Sequence, residues 1–342
     1  MILHDRTTIL QHLDDESDPE EGRMDVTNHQ PSEREGAWAR ANREELVERL
    51  GRATRRDGRS YPLNGLMLRR ESAPTEMGHG MSYLSLCVIA QGSKEVMFGD
   101  NRYRYDPAQY LIATAALPIA TRVVDASEER PYLALILDLD PTLVGSVMVE
   151  AGHIPSRNQS AVTAIDVSPL DAGLLDAAVR LVRLLETPTQ ARFLAPLLKR
   201  EIVYRLLSGE QRGRIAQLAA LGGGTHRIAE ALEWLRRDFN RPLLIEEVAR
   251  ELGMSASGFH HHFKALTALS PLQFQKQLRL QEARRLMLGE GLDAASAGYR
   301  VGYGDASHFT REYKRLFGAP PMRDVEQMRQ ASNTNALQDA AS

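Results

Sequence analysis

Two hydrophobic periods divide the chain. From Leu63 to Leu139 apolar residues come in short runs, LNGLMLRR, SYLSLCVIA, KEVMFG, NRYRYD, QYLIAT, IATRVV and YLALILDLD, punctuated by Gly92-Ser93, Gly99-Asp100-Asn101, Asp106-Pro107 and Pro118. Short runs with frequent turns predict an antiparallel barrel or sandwich. In SYLSLCVIA, strand alternation sends Tyr83, Ser85, Cys87 and Ile89 to one face and Leu84, Leu86 and Val88 to the other. After Pro141 the period lengthens to that of helices, in PTLVGSVMVEAG, PLDAGLLDAAVRLVRLLET and RFLAPLLKREIVYRLLSG. Leu174, Leu175, Ala178, Leu181, Val182 and Leu185 form one continuous stripe, which must be buried against its own domain or a second copy of the chain. Before the strands, WARANREELVERL spaces Trp38, Leu46, Val47 and Leu50 along one helical face.

The flanks lack such patterns. Residues 1–35 carry 10 Asp and Glu against 3 Lys and Arg, with too few apolar residues to offset the entropy of ordering them, and read as a disordered leader. Met24 is an alternative start. Gly222-Gly223-Gly224 breaks the helical region, with Thr225 placed to cap a helix over 226–239. The expected organisation is a leader at 1–35, a first domain at 36–209, a linker at 210–225, a helical domain at 226–330 and a disordered tail at 331–342.

The helical domain nearly repeats itself. VARELGMSASGFHHHFKALTALSP is followed by AGYRVGYGDASHFTREYKRLFGAPP, and Ser257, Phe259, Phe263, Lys264, Leu266 and Pro271 recur 50 positions later as Ser307, Phe309, Tyr313, Lys314, Leu316 and Pro321. Upstream the offset is 49, pairing Gly253 with Gly302 and Met254 with Tyr303, so the second turn has one extra residue. Each copy reads as helix, Gly turn, helix, with Ser255 and Asp305 as caps. A capped three-turn helix fits a DNA major groove, about 12 Å wide. Phe259, His262, Phe263 and Leu266 are expected to face the core, leaving Ser257, His260, His261 and Lys264 outward, with Ser307, His308, Arg311 and Lys314 outward in the second copy.

From about Thr225 to Met328 the chain resembles the DNA-binding domain of the AraC/XylS family of bacterial transcription regulators, carried by ARELGMSASGFHHHFKALTALSPLQFQKQLRLQEARRLM and VGYGDASHFTREYKRLFGAPP. The resemblance implies seven helices, with a spacer over about Pro271–Leu288 holding two reading helices in adjacent major grooves. It places base contacts at Ser257, His260, His261, Ala306, Ser307, His308 and Arg311. Lys264, Arg279, Lys314 and Arg315 are the corresponding phosphate contacts. Gly258 within the first reading helix, Gly298 where Ala matches Ala249, and Met322-Arg323 in place of an aromatic-Arg pair depart from the pattern. SLCVIAQGSKEVMFGDNRYRYDPAQYLIATAALPIATRV and PYLALILDLDP are similar to the N-terminal domain of one AraC subgroup, a cupin-like β-barrel followed by dimerisation helices. The fold class is then α+β, and the function a sequence-specific regulator of promoter DNA, with activation implied, a small-molecule effector and RNA polymerase as partners, and a homodimer as the assembly. Tyr83 and Cys87 are the candidates for the effector site; the effector and operator are not legible.

Other chemistries have less support. Successive residues of His260-His261-His262 point about 100° apart on a helix and cannot share one metal ion. A cupin metalloenzyme with an appended DNA-binding domain, the alternative reading, needs an HxH cluster, yet between Gln30 and Thr225 only His79 and His153 occur. No metal, cofactor or catalytic activity is therefore expected. Cys87 is the only cysteine, which excludes an intrachain disulfide; it reads first as a small buried residue and second as a pocket thiol. Arg69-Arg70 and Arg55-Arg56 read as solvated pairs before anion sites. No apolar run is long enough to span a bilayer, so a cytoplasmic protein without membrane contact is expected. The net charge of -3 hides a mildly basic helical region, in which residues 226–330 carry 16 Lys and Arg against 13 Asp and Glu.

Overall fold

The structure, a computed structural model, describes residues 33–152, 163–219 and 224–340 of the 342-residue chain. Most of the expected leader, His153 and Gly222-Gly223 lie outside the described residues. The strands are β1 (Gly58–Leu63), β2 (Leu66–Glu71), β3 (Gly78–Met81), β4 (Ser85–Gln91), β5 (Ser93–Phe98), β6 (Asn101–Tyr105), β7 (Gln109–Ala113), β8 (Pro118–Asp125), β9 (Tyr132–Asp138) and β10 (Ile165–Pro169). They pair as two antiparallel sheets, β1-β2-β9-β4-β7-β10 and β3-β8-β5-β6. The expected closed barrel is thus replaced by two separate sheets.

Gly92 shows how the chain passes from one sheet to the other. It joins β4 of the larger sheet to β5 of the smaller at φ +84°, and a Cβ there would lie 2.3 Å from the Asp125 carbonyl oxygen. Only glycine tolerates both the conformation and the approach. Pairing of β4 with β7 and β9 sends Leu86 and Val88 to one face and Cys87 and Ile89 to the other, as the alternation predicts. Cys87 and Ile89 pack between the sheets with Val96, Phe98 and Tyr105, whereas Leu86 and Val88 pack with Leu135 and Leu137 beneath helices. The larger sheet is therefore buried on both faces, which accounts for the unbroken apolar run of β9.

Those helices are α1 (Glu33–Ala53), α2 (Pro141–Glu150), α3 (Ala172–Arg183), α4 (Pro188–Ser208) and α5 (Arg212–Ala219), with a 3₁₀ turn at Leu184–Glu186. Leu46 and Leu50 of α1 meet the stripe of α3, so that stripe is satisfied within its own domain. Trp38, expected on the buried face of α1, is exposed. Asp171 caps α3 by accepting from the Leu174 N–H. Helix α5 occupies part of the expected linker; Ile215 is fully buried, and Arg214 donates to the Thr163 carbonyl.

The helical domain comprises α6 (Gly224–Arg237), α7 (Ile245–Glu251), α8 (Ala256–Thr267), α9 (Pro271–Gly289), α10 (Ala294–Arg300), α11 (Ala306–Phe317) and α12 (Pro321–Ala340), seven helices among the described residues. Thr225 lies inside α6 rather than capping it, and α12 continues through most of the expected tail. No helix among the described residues is long and apolar enough to cross a membrane.

Candidate nucleic-acid interface and internal cavity

The two copies fold alike at the bond level. In the first turn the Met254 N–H donates to the Ala249 carbonyl at 2.8 Å; in the second the Tyr303 N–H donates to Gly298 at 3.0 Å. Gly253 and Gly302 both take positive φ, +62° and +92°. Ser255 caps α8 by accepting from the Gly258 N–H at 3.1 Å, and Asp305 caps α11 by accepting from His308. Ser270 and Gln273 form a reciprocal capping box at the start of α9, which Pro271 enters in a helix-compatible conformation.

Aromatic packing then orients the reading helices. Phe259 and Phe263 are fully buried and packed on each other, with Phe263 against Phe274 of α9; Phe309 and Tyr313 are fully buried with Tyr303 and Phe317. A Cβ at Gly298 would come within 2.9 Å of the Phe309 ring, so the smaller residue is what lets α10 seat on α11. With the apolar faces held, Ser257, His260, His261 and Lys264 are exposed on α8. Ser307, His308, Arg311, Lys314 and Arg315 are exposed on α11, and Ala306 is half-buried. His262, expected in the core, is exposed instead: the buried face of α8 narrows to Phe259, Phe263 and Leu266, and His262 lies edge-on to His261.

Arg279, expected at a phosphate, is also a structural clamp. Its three guanidinium nitrogens donate to the carbonyls of Phe239 (2.7 Å), Gly302 (3.0 Å) and Arg241 (2.8 Å). It clamps the α6–α7 connection and the second turn onto α9, and one N–H on each of its two Nη atoms is left over. Sequence spacing alone could not reveal this, since all three acceptors are backbone groups. Two further residues, Arg284 and Asp324, escaped the sequence pattern: they form a bidentate pair at 2.8 and 2.6 Å, Asp324 being buried, and Tyr313 donates its hydroxyl to the same carboxylate at 2.7 Å. Burial, followed by Asp324, raises the Tyr313 phenol well above its ordinary range. Arg315 pairs with Glu312, which also meets Lys276.

The helical domain docks on the sheets. The Ala164 N–H donates to the Leu266 carbonyl of α8 at 3.0 Å, Gln281 of α9 donates to Gly80 of β3 at 3.0 Å, and Arg236 donates to Ala116. The His79 ring stands edge-on to Phe317 of α11 at 5.2 Å. Ala268, which ends α8 at φ +53°, packs on Gly99 in the β5–β6 turn.

Between the sheets lies a cavity of about 290 Å³, lined by Met67, Cys87, Lys94, Tyr105, Leu111 and Ile136, with Tyr83 also on its wall. The structure thus brings both effector-site candidates, Tyr83 and Cys87, to one space. The Tyr105 hydroxyl donates to the Cys87 sulfur at 3.1 Å, and burial pushes the Tyr83 phenol up to about 12. Of the arginine pair, Arg69 lines the cavity and is tied to Glu71 at 2.9 Å, while Arg70 turns to Asp57.

Comparison with known proteins follows the same division. Residues 62–214 match the family described as the AraC-type transcriptional regulator N-terminus, and residues 248–327 match a helix-turn-helix domain family. The HTH-type transcriptional activator RhaS of Klebsiella pneumoniae is 31% identical over 147 residues, covering 43% of this chain and 50% of that protein. The HTH-type transcriptional regulator ArgR of Pseudomonas aeruginosa is 27% identical over 131 residues, covering 38% and 40%. The chain spans about half the length of these curated relatives. In fold it is similar to the crystal structure of ToxT from Vibrio cholerae O395 bound to (E)-4-(8-methylnaphthalen-1-yl)but-3-enoic acid, with TM-score 0.50 and 11% identity, covering 75% of this chain and 98% of that one.

Proposed function

Because the chain belongs to the AraC-type transcriptional regulators, joining that family's N-terminal domain to a helix-turn-helix domain, we propose that it binds promoter DNA through α8 and α11 under the control of a small molecule held between the sheets. The observation that carries this is the pair of helix-turn-helix units with matching turn bonds and caps, each presenting a polar outer face. Ser257, His260 and His261 read bases from the first helix; Ala306, Ser307, His308 and Arg311 read them from the second. Arg311 pairs with a guanine edge. Lys264, Arg279, Lys314 and Arg315 contact phosphates and position the domain without reading sequence, Arg279 through the N–H groups its clamp leaves over. A 19-residue α9 is about 28 Å long, compatible with neighbouring grooves about 34 Å apart.

Action is by binding rather than catalysis, and activation through RNA polymerase is the reading that a relative named as an activator supports. The small molecule acts by favouring one arrangement of the docked domains, since β3 and β5 both line the cavity and both approach the helical domain. Dimerisation uses α4, where Phe193, Leu197 and Tyr204 share an exposed apolar face. The test is binding of the full chain to the DNA upstream of its own gene, against scrambled competitor, across a salt series. Competitor-resistant binding with a steep salt slope is expected; equal affinity for scrambled DNA, in every salt and with every small molecule tried, would exclude a specific regulator.

A further inference from the structure

We propose that the cavity between the sheets is an acid-binding site, in which the Lys94 ammonium pairs with the carboxylate of a small, otherwise apolar monoanion. This deepens the effector reading above and rests on it, naming the ligand's chemical class.

The argument begins with strand register. Along β5, Lys94, Val96 and Phe98 share the face turned between the sheets, and Val96 and Phe98 are almost completely buried there. Lys94 stands opposite Tyr105 of β6 and Val123 of β8, both buried. A lysine at such a position places an ammonium where the pattern calls for an apolar side chain. The one acidic residue of the strand does not answer it: Glu95 faces the opposite side, where Arg102 and Arg122 hold it. Among the described residues no carboxylate lies within ion-pair distance of Lys94. Glu71, the carboxylate whose charge acts on Lys94, is engaged by Arg69.

Arg59 and Arg69 line the same space, against the single acid Glu76, so the wall carries excess positive charge. An ammonium without a counter-charge in an apolar cavity is costly, and burial duly lowers the Lys94 pKa. A bound anion offsets that cost. Met67, Val96, Leu111, Ile119 and Ile136 form an apolar part of the wall, beside Thr75, His79, Ser82, Ser85 and Thr121, and that apolar part receives the hydrocarbon body of the acid. The Tyr105 hydroxyl is already donated to Cys87. At about 290 Å³ the space holds roughly ten water-sized groups, enough for a short-chain or single-ring monocarboxylate.

The test is calorimetric titration of the full chain with hexanoate and cyclohexanecarboxylate, each beside its primary amide, using the wild type, Lys94→Met and Lys94→Gln. The acids are expected to bind the wild type about tenfold or more tighter than the amides. Both variants should lose that preference while keeping the wild-type circular dichroism spectrum and amide affinity. Equal affinity for acid and amide in the wild type, retention of the preference in either folded variant, or absence of saturable acid binding overturns the proposal. Amide binding without acid preference leaves the effector reading standing and removes only the acid; acid binding by a chain that fails the promoter test removes the regulator and leaves the acid site.

Discussion

Arg279 and Arg311 carry the same charge in the same domain, yet their surroundings differ. Arg279 satisfies three backbone carbonyls, whereas Arg311 is exposed on the outer face of α11. Arg279→Lys should therefore lower stability by about 2 kcal/mol, because an ammonium cannot span the three carbonyls. Denaturant unfolding checks this, and an unchanged midpoint would remove the clamp role. Arg311→Ala should cost about 1 to 3 kcal/mol of affinity on the cognate site and relax one base position, while Lys314→Ala weakens every sequence alike and reduces the salt slope by about one unit. Competition binding on single-base variants separates the two; a uniform loss for Arg311→Ala sinks its base-reading role. The exposed positions of α8 and α11 were legible because the repeat fixes which positions are apolar. Arg279 was not, because a side chain bonded to backbone leaves no pattern among side chains.

At the scale of elements, the ends of helices carry the informative differences. The 50-residue offset aligns Ala268 at the end of α8 with Gly318 at the end of α11, and both sit in the left-handed region, at φ +53° and +82°. Alanine pays there for a conformation glycine adopts without penalty. Ala268→Gly should stabilise the chain by about 1 kcal/mol, read as a raised denaturation midpoint; a fall would mean that packing of its methyl group on Gly99 outweighs the strain.

Helix α1 is tied to α3 by Glu45, which accepts both Arg183 bonds at 2.7 Å and one from Arg49. The hydrogen-bonded Arg183 guanidinium leads in holding the Glu45 carboxyl down at about 2, against an ordinary 4.5. A depressed folded-state pKa contributes stability present above about pH 4.5 and lost as pH falls toward 2. The arginine is partly solvated, so the tie is worth only about 0.5 kcal/mol. Glu45→Gln should show that deficit near neutrality and a shrinking one below pH 4.5; a deficit independent of pH would reject the ion pair as its source.

At the scale of the molecule, α4 leaves an apolar face without cover, with Phe193 73%, Leu197 60% and Tyr204 52% exposed at spacings of one and two helical turns. Phe193→Glu or Leu197→Glu should convert a dimer to a monomer with unchanged circular dichroism. Sedimentation velocity decides the matter, and a wild-type monomer at micromolar concentration would reject this face as the contact.

The sequence alone determined the strand-rich first half, the helical second half, the duplicated helix-turn-helix with both caps, and the outward direction of nearly every polar side chain named on α8 and α11. These follow from local periodicity and capping, which neighbouring residues specify. It missed the edge strands β1, β3 and β10, whose segments GRSYPL, GHGM and IDVSP are short and hold at most two or three apolar residues each. Only tertiary structure decided that the strands form two sheets rather than one closed barrel, that the stripe of α3 is satisfied within its own domain, and that Lys94, Cys87 and Tyr83 meet in one cavity. Those outcomes depend on which distant backbones pair and how closely they approach, and such long-range contacts leave no period in the chain.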